Sequence, residues 1–229
     1  MNIANSAALL ELARPQGTIY LTLAWDDESL VLIDTGFPGQ MDALVSAIAA
    51  EGFRAENITH IILTHQDIDH IGCLPDMLRL APSARVIAHA QEAPYIDGRE
   101  TPIKLAMLLE NYNQLPDQMK AFCDQLQAGF ASRRVAVSQT VEDGEVLPIA
   151  GGIEVLHTPG HTPGHIALLL RQSCMMVAGD AANIADGQLT GPNPQHTQDM
   201  ALGMRSFEGL KAYDSICVVV YHGGLLRQK

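Results

Sequence analysis

Four side chains able to bind a metal ion fall within six residues, at His65, Asp67, Asp69 and His70. They lie in Thr64-His65-Gln66-Asp67-Ile68-Asp69-His70, directly after the apolar run Ile61-Ile62-Leu63. That run reads as a buried strand. Beyond it, Ile71-Gly72-Cys73-Leu74-Pro75 leads into a helix expected to run through Leu80. The pattern predicts a strand that ends by delivering two imidazoles and two carboxylates into the loop before a helix. Such groups are costly to hide unless they pair or bind a cation. Imidazole and carboxylate suit divalent zinc, manganese or iron. Three later residues share this context: His161, Asp180 and His222 each lie just past an apolar run. Ligands at the same ends of several strands converge on one edge of a sheet sandwich. Seven of them suffice for two cations that share one bridging carboxylate.

The elements that must position these groups can be read in order. Thr18 to Ala24 alternates as a strand, and Asp26-Asp27-Glu28 makes a polar turn. Ser29 to Ile33 is a second strand that ends at Asp34-Thr35-Gly36. Asp34, at the end of a buried strand, is expected to support the charged site from behind the ligands. Met41 to Glu51 is an amphipathic helix, Ile58 to Leu63 the strand before the metal loop, and Ala84 to Ala88 another strand. His60 precedes its strand and His89 ends the next; neither is read as a ligand. From about residue 91 to 132 strand signals vanish, and Pro94, Pro102 and Pro116 punctuate helical stretches. Leu105, Met107, Leu108, Met119, Phe122, Leu126 and Phe130 make this insert apolar on one side. It reads equally as a helical layer on the core, as a lid giving an adaptable wall to a substrate pocket, or as a homodimer surface.

Strands return at Val135 to Val137, Glu145 to Pro148 and Gly152 to Leu156. Two Pro-Gly pairs in His157-Thr158-Pro159-Gly160-His161-Thr162-Pro163-Gly164-His165 then hold a rigid loop. Ile166 to Leu170, Cys174 to Ala178 and Ile216 to Tyr221 complete the strands. His165 and His157 read as supporting histidines. His196, in the loop after Asp180, reads as a surface residue with a substrate contact as the sharper alternative. The chain also rhymes, because one hairpin ends in Ile33-Asp34 and a later one in Gly179-Asp180. Two similar halves facing each other across a cleft would give this.

The bulk composition excludes several classes. The chain has 229 residues, 47% hydrophobic and 17% charged, which fits a single ordered globular domain over 1–229. A formal net charge of -12 disfavours nucleic acid and anionic lipid as partners and leaves a small molecule. The one adjacent basic pair, Arg133-Arg134, reads as solvated surface. Cys73, Cys174 and Cys217 sit in apolar surroundings and read as buried thiols, with no Cys-x-x-Cys pair. No secretory signal or membrane span is evident, so a cytoplasmic protein is expected.

With these residues in place, the chain resembles the metallo-β-lactamase superfamily, whose hallmark loop is His-x-His-x-Asp-His. Leu32-Ile33-Asp34-Thr35-Gly36, Thr158-Pro159-Gly160-His161-Thr162, Gly179-Asp180 and His222-Gly223 match further family marks in order. The resemblance implies an α/β fold, a four-layer αβ/βα sandwich, with metals at one edge of the sheets. It implies one ion on His65, Asp67 and His161, another on Asp69, His70 and His222, and Asp180 bridging them. Zinc is favoured by family precedent. Asp67 departs from the pattern, standing where the family has its second His; a harder, charged ligand shifts preference toward manganese or iron.

The resemblance implies a metal-dependent hydrolase of a carbonyl ester, thioester or lactone. Two cations would hold a hydroxide between them near neutral pH, and Asp69 would carry its proton to the leaving group. The apolar insert tilts the substrate toward an acyl tail, as in lactonase-like members. A glyoxalase II activity ranks lower, since the chain ends soon after His222-Gly223-Gly224. Two other classes stay open. One is a di-iron redox enzyme of the flavodiiron type, which has Glu where Asp67 stands. The other is a non-catalytic ligand-binding protein.

Overall fold

The computed structural model describes residues 2–4, 6–213 and 215–227. Seven strands form the first sheet in chain order: β1 (Asn2–Ala4), β2 (Ala7–Arg14), β3 (Gly17–Trp25), β4 (Leu30–Ile33), β5 (His60–Leu63), β6 (Arg85–His89) and β7 (Gln139–Val141). The hairpins through β4 are antiparallel; β4, β5, β6 and β7 then run parallel. Helix α1 (Met41–Ala50) makes the crossover from β4 to β5. Four short helices follow β5: α2 (Ile68–Ile71), α3 (Leu74–Leu80), α4 (Ala93–Ile96) and α5 (Ile103–Glu110). Helix α6 (Asp117–Ala131) closes the insert.

The second sheet holds β8 (Val146–Leu147), β9 (Ile153–His157), β10 (Ile166–Leu170) and β11 (Met175–Val177). A small ribbon of β12 (Asn183–Ala185) and β13 (Gln188–Thr190) and helix α7 (Met200–Leu210) then lead to β14 (Cys217–Val220) and β15 (Gly224–Arg227). The spatial order is β15-β14-β11-β10-β9-β8. The rhyme between halves is one of topology. In each, antiparallel strands end in an aspartate, a helical crossover follows, and the next strand pairs parallel: β4 with β5, β11 with β14.

Alternation along the strands builds the layers. Val31, Ile33, Ile62 and Ile87 of the first sheet meet Val155, Ile166, Leu168 and Val219 of the second, and this is the middle of the sandwich. Leu32, Ile61, Leu63 and Val86 turn the other way, under α1 and α3. Ala167, Met176, Val218 and Val220 pack against Phe207 and Leu210 of α7. Strands buried on both faces read as unbroken apolar runs, which is why β4, β5, β10 and β14 are plain in the sequence.

Several expectations need correction. Val135 to Val137 is not a strand; pairing with β6 begins at Gln139. There the Val86 N–H binds Ser138 Oγ and the Ser138 N–H binds Val86 O, and the ladder starts beyond. Strand β2 has no counterpart among the expected strands, because Ala7-Ala8-Leu9-Leu10-Glu11-Leu12-Ala13 favours helix by intrinsic preference. Tertiary pairing with β3 and burial on both faces override that preference. His60 is the first residue of β5 rather than a residue before it. Cys174 is exposed, in a turn with φ of 48°, while Cys123 is buried. Arg133 is only half exposed: its guanidinium donates to Gly72 O at 2.8 Å and to Gly129 O at 3.0 Å, tying the end of α6 to the metal loop. Gln228 and Lys229, the end of the short tail after His222-Gly223-Gly224, lie outside the described residues.

Candidate metal centre

The ends of β4, β5, β9, β11 and β14 open on one edge of the sandwich, and all seven expected ligands come from the segments that follow them. Asp69 and His70 lie in the first turn of α2, not in the preceding loop. Their seat depends on Gly72: a Cβ there would stand 2.3 Å from Pro38 N and 2.4 Å from Gly36 O. Only glycine permits this approach, which brings the Gly72 N–H to Gly36 O at 2.8 Å. Likewise Gly160, with φ of 134°, lets the His161 loop touch Gly203 of α7.

Two groups of donors result. Nitrogen or oxygen atoms of His65, His161 and Asp180 lie within 4.8 Å of one another, as do those of Asp69, His70 and His222. Asp180 stands between them. One of its oxygens is 3.5 Å from His161 Nε2 and from His222 Nε2, and the other is 3.6 Å from His70 Nε2. Asp69 Oδ2 is 3.3 Å from His222 Nε2 and 3.8 Å from His70 Nε2. Asp67 Oδ2 is 3.1 Å from His65 Nε2 and 3.0 Å from His161 Nε2. That same Asp67 oxygen also accepts from the ammonium of Lys104, on α5, which lies 3.2 Å from His161 Nε2. Sequence reasoning missed this lysine.

The supporting contacts fix which nitrogens face the centre. Asp34 is buried and accepts the Thr64 N–H at 2.9 Å, the Thr64 hydroxyl at 2.9 Å and His70 Nδ1–H at 2.9 Å. With Nδ1 protonated, His70 Nε2 is left as a bare lone pair toward the site. His165 Nδ1–H donates to Thr158 Oγ1 at 2.7 Å, and its Nε2 accepts the backbone N–H of Asp180 at 3.0 Å. His165 therefore holds Asp180 rather than an ion. Glu92, fully buried and unforeseen, accepts the Gln66 N–H, the Gln66 amide and the Gly164 N–H at 2.8–3.0 Å, clamping both histidine loops together. Tyr221 stacks on His70 with ring centres 3.8 Å apart and donates its hydroxyl to Asp69 O. His89 and His157 stack on each other at 4.3 Å, away from the ligands.

The donor set fits a divalent cation. His65 Nε2, His70 Nε2 and Asp180 Oδ1 are buried with no hydrogen-bond partner. His65 Nε2 has Asp67 near but misaligned for a hydrogen bond. Buried polar atoms are rarely left so unless an ion or an ordered water satisfies them. Without an ion, the carboxylates crowd protons onto the imidazoles. Burial pushes the His70 imidazole down, but Asp34, Asp69 and Asp180 outweigh it and raise it to about 9. Burial also opposes the charge on His222, yet Asp180 and Asp69 lift it to about 10. Burial acts to raise Asp67 and Asp180, and neighbouring histidines, with Lys104 for Asp67, hold both well below the ordinary carboxylate range.

The centre opens into a cavity of about 970 Å³. Asp67, Asp69, His161, Asp180 and His222 line it together with Met107, Leu108, Leu115, Met119, Phe122 and Phe130 of the insert. His196 is exposed on its rim.

A "Probable metallo-hydrolase YflN" of Bacillus subtilis (strain 168) is 30% identical over 224 residues, covering 89% of this chain and 79% of that one. An "Atrochrysone carboxyl ACP thioesterase dmxR1" of Cryptosporiopsis sp. (strain 8999) is 26% identical over 170 residues, 72% of this chain but only 38% of that protein. Among solved structures, a metallo-beta-lactamase family protein of Thermus thermophilus matches with a TM-score of 0.73 and 25% identity, covering 99% of this chain and 76% of that one. The model of the metallo-beta-lactamase superfamily matches residues 14–222, and the chain belongs to that superfamily.

Proposed function

We propose that the protein is a metal-dependent hydrolase of small carbonyl esters, thioesters or lactones that carry an acyl tail. The observation behind this is the cavity's mixed lining, which joins the candidate metal-ligating groups to aliphatic and aromatic side chains of the insert. That pairing suits a substrate with a reactive carbonyl at one end and a hydrocarbon at the other. The thioesterase among the relatives supports the same chemistry.

Asp69, His70 and His222 would hold a divalent ion, with Asp180 between them and the His65 and His161 group, zinc first and manganese or iron as alternatives. His65, His161 and Asp67 form the half-site expected for a second. A bound ion there supplies Lewis acidity and brings the pKa of water down toward ~7. The chain's own residues do the rest. Water adds to the carbonyl carbon, the bond to the leaving oxygen or sulfur breaks, and Asp69 carries the proton to that leaving atom. Asp34 and His165 keep the ligands aligned, and the insert holds the tail and excludes solvent.

Metal analysis followed by assay on a panel of lactones, thioesters and β-lactams tests this reading. Turnover of an acyl ester or thioester, abolished in Asp180→Ala while the variant melts cooperatively, is the expected result. Iron in the purified protein with oxygen or nitric oxide reduction would replace it with a redox function. Less than one metal per chain would leave a binding protein.

A further inference from the structure

Lys104 is one of two basic residues lining the cavity, and its ammonium sits among the donors of the first half-site. It takes the Asp67 oxygen that lies 3.1 Å from His65 Nε2 and 3.0 Å from His161 Nε2. An ion bound to His65, Asp67 and His161 would need the same oxygen and the same His161 nitrogen.

This placement is built into the backbone. Residue 103 opens α5, and the Ile103 N–H donates to Gln66 Oε1 at 2.9 Å. Gln66 lies between His65 and Asp67, and Glu92 fixes its backbone and side-chain amide. The helix start is thus anchored to the loop that carries the ligands, one residue before the lysine. Charge gives a second argument. Asp67 in place of an imidazole adds one negative charge, and Lys104 adds one positive charge beside it. The pair neutralises itself, and a dication a few ångströms from an ammonium is repelled. Among the described residues, Asp69 and Asp180 pair with histidines and with no ammonium.

We infer that Lys104 is the resident cation of the first half-site, so that the chain carries one divalent ion, held by Asp69, His70, His222 and Asp180. An ammonium has three donors; Asp67 accepts one, and His161 accepts another in the tautomer that leaves its Nε2 bare. The third serves the carbonyl oxygen of the substrate as negative charge builds on it, which makes Lys104 a catalytic residue that exchanges no proton. This last role rests on the hydrolase reading; the metal count does not.

The test is elemental analysis of wild type, K104R and K104M after equilibrium dialysis against zinc chloride, with melting curves to show that each is folded. Wild type and K104R are expected to hold one zinc per chain, and K104M two. K104M loaded with a single zinc is expected to lose about 100-fold in kcat on the preferred ester, the loss typical of one missing oxyanion donor. Two zinc ions in wild type, or one in K104M, overturns the assignment and leaves the hydrolase reading standing. An unchanged kcat in single-zinc K104M removes the catalytic role. The expected counts without turnover of any ester support the resident cation and defeat the hydrolase.

Discussion

Asp34 lies behind the candidate metal ligands, and two substitutions there separate its structural duty from its electronic one. The residue is 1% exposed and has φ of 62°. Asp34→Ala deletes the acceptor for three donors: the Thr64 N–H, the Thr64 hydroxyl and His70 Nδ1–H. A buried donor left unmet costs about 1–3 kcal/mol. Alanine in a left-handed conformation adds roughly 1–2 kcal/mol. With the two N–H donors counted and the hydroxyl free to turn elsewhere, the loss is about 3 kcal/mol at least. Asp34→Asn behaves differently. Asparagine tolerates positive φ, and its oxygen still accepts from Thr64. Its NH2 then faces His70 Nδ1, which must accept instead of donate. The ring proton moves to Nε2, the nitrogen aimed at the ion. Loss of such a supporting carboxylate weakens metal binding by about 10–100-fold, or roughly 1.4–2.7 kcal/mol. Chelator competition would read the affinity and urea denaturation of the metal-free protein the stability. Asp34→Asn should lose affinity together with the part of the metal-free protein's stability that the Asp34–His70 pair contributes, and Asp34→Ala should lose the same and the Thr64 acceptor as well. An Asp34→Asn protein that binds zinc as tightly as wild type would refute the tautomer argument.

Other outcomes follow from the same geometry. His70 and His222, raised to about 9 and about 10, stabilise the metal-free protein through their charge. Because both lie above the unfolded value near ~6.5, that contribution is full below about pH 6.5 and is lost as pH rises through 9 to 10; urea midpoints of the apoprotein across that range should fall. At pH 7.5, zinc binding must then release protons from these two rings, and titration calorimetry in buffers of different ionisation enthalpy should detect them; zero release would contradict the charges assigned. Gly72→Ala puts a Cβ 2.3–2.4 Å from the backbone of Gly36 to Pro38 and should cost about 3 kcal/mol or more, seen as a large drop in melting temperature. Phe122→Ala, on an exposed ring that lines the cavity, should raise KM several-fold for long-chain esters and leave short-chain KM unchanged, since each buried methylene is worth about 0.8 kcal/mol.

What could be read from the chain alone divides along physical lines. Strands buried on both faces announce themselves, and ligands at their ends inherit fixed positions from the ladder. The convergence of His65, His161, Asp180 and His222 on one edge could therefore be read from local context. Strand β2 was not, because its alanines and leucines favour helix and only β3 beside it decides otherwise. Glu92 and Tyr221 also stayed hidden, since their partners, Gln66 with Gly164 and Asp69 with His70, come from distant segments. Lys104 is the sharpest case. In the sequence it is the one basic residue of a mostly apolar helix, where a solvated side chain is the ordinary expectation. What makes it otherwise is Gln66, a residue between two ligands whose amide is held by Glu92, which grips the backbone of Ile103 and sets the next side chain over Asp67. The unusual aspartate and the lysine are therefore one feature. Asp67 without Lys104 would be a buried carboxylate held by two imidazoles alone, and Lys104 without Asp67 would be an ammonium facing imidazoles with no counter-charge. Each makes the other tolerable, so the departure of residue 67 from the family's histidine is best understood through the insert that covers it.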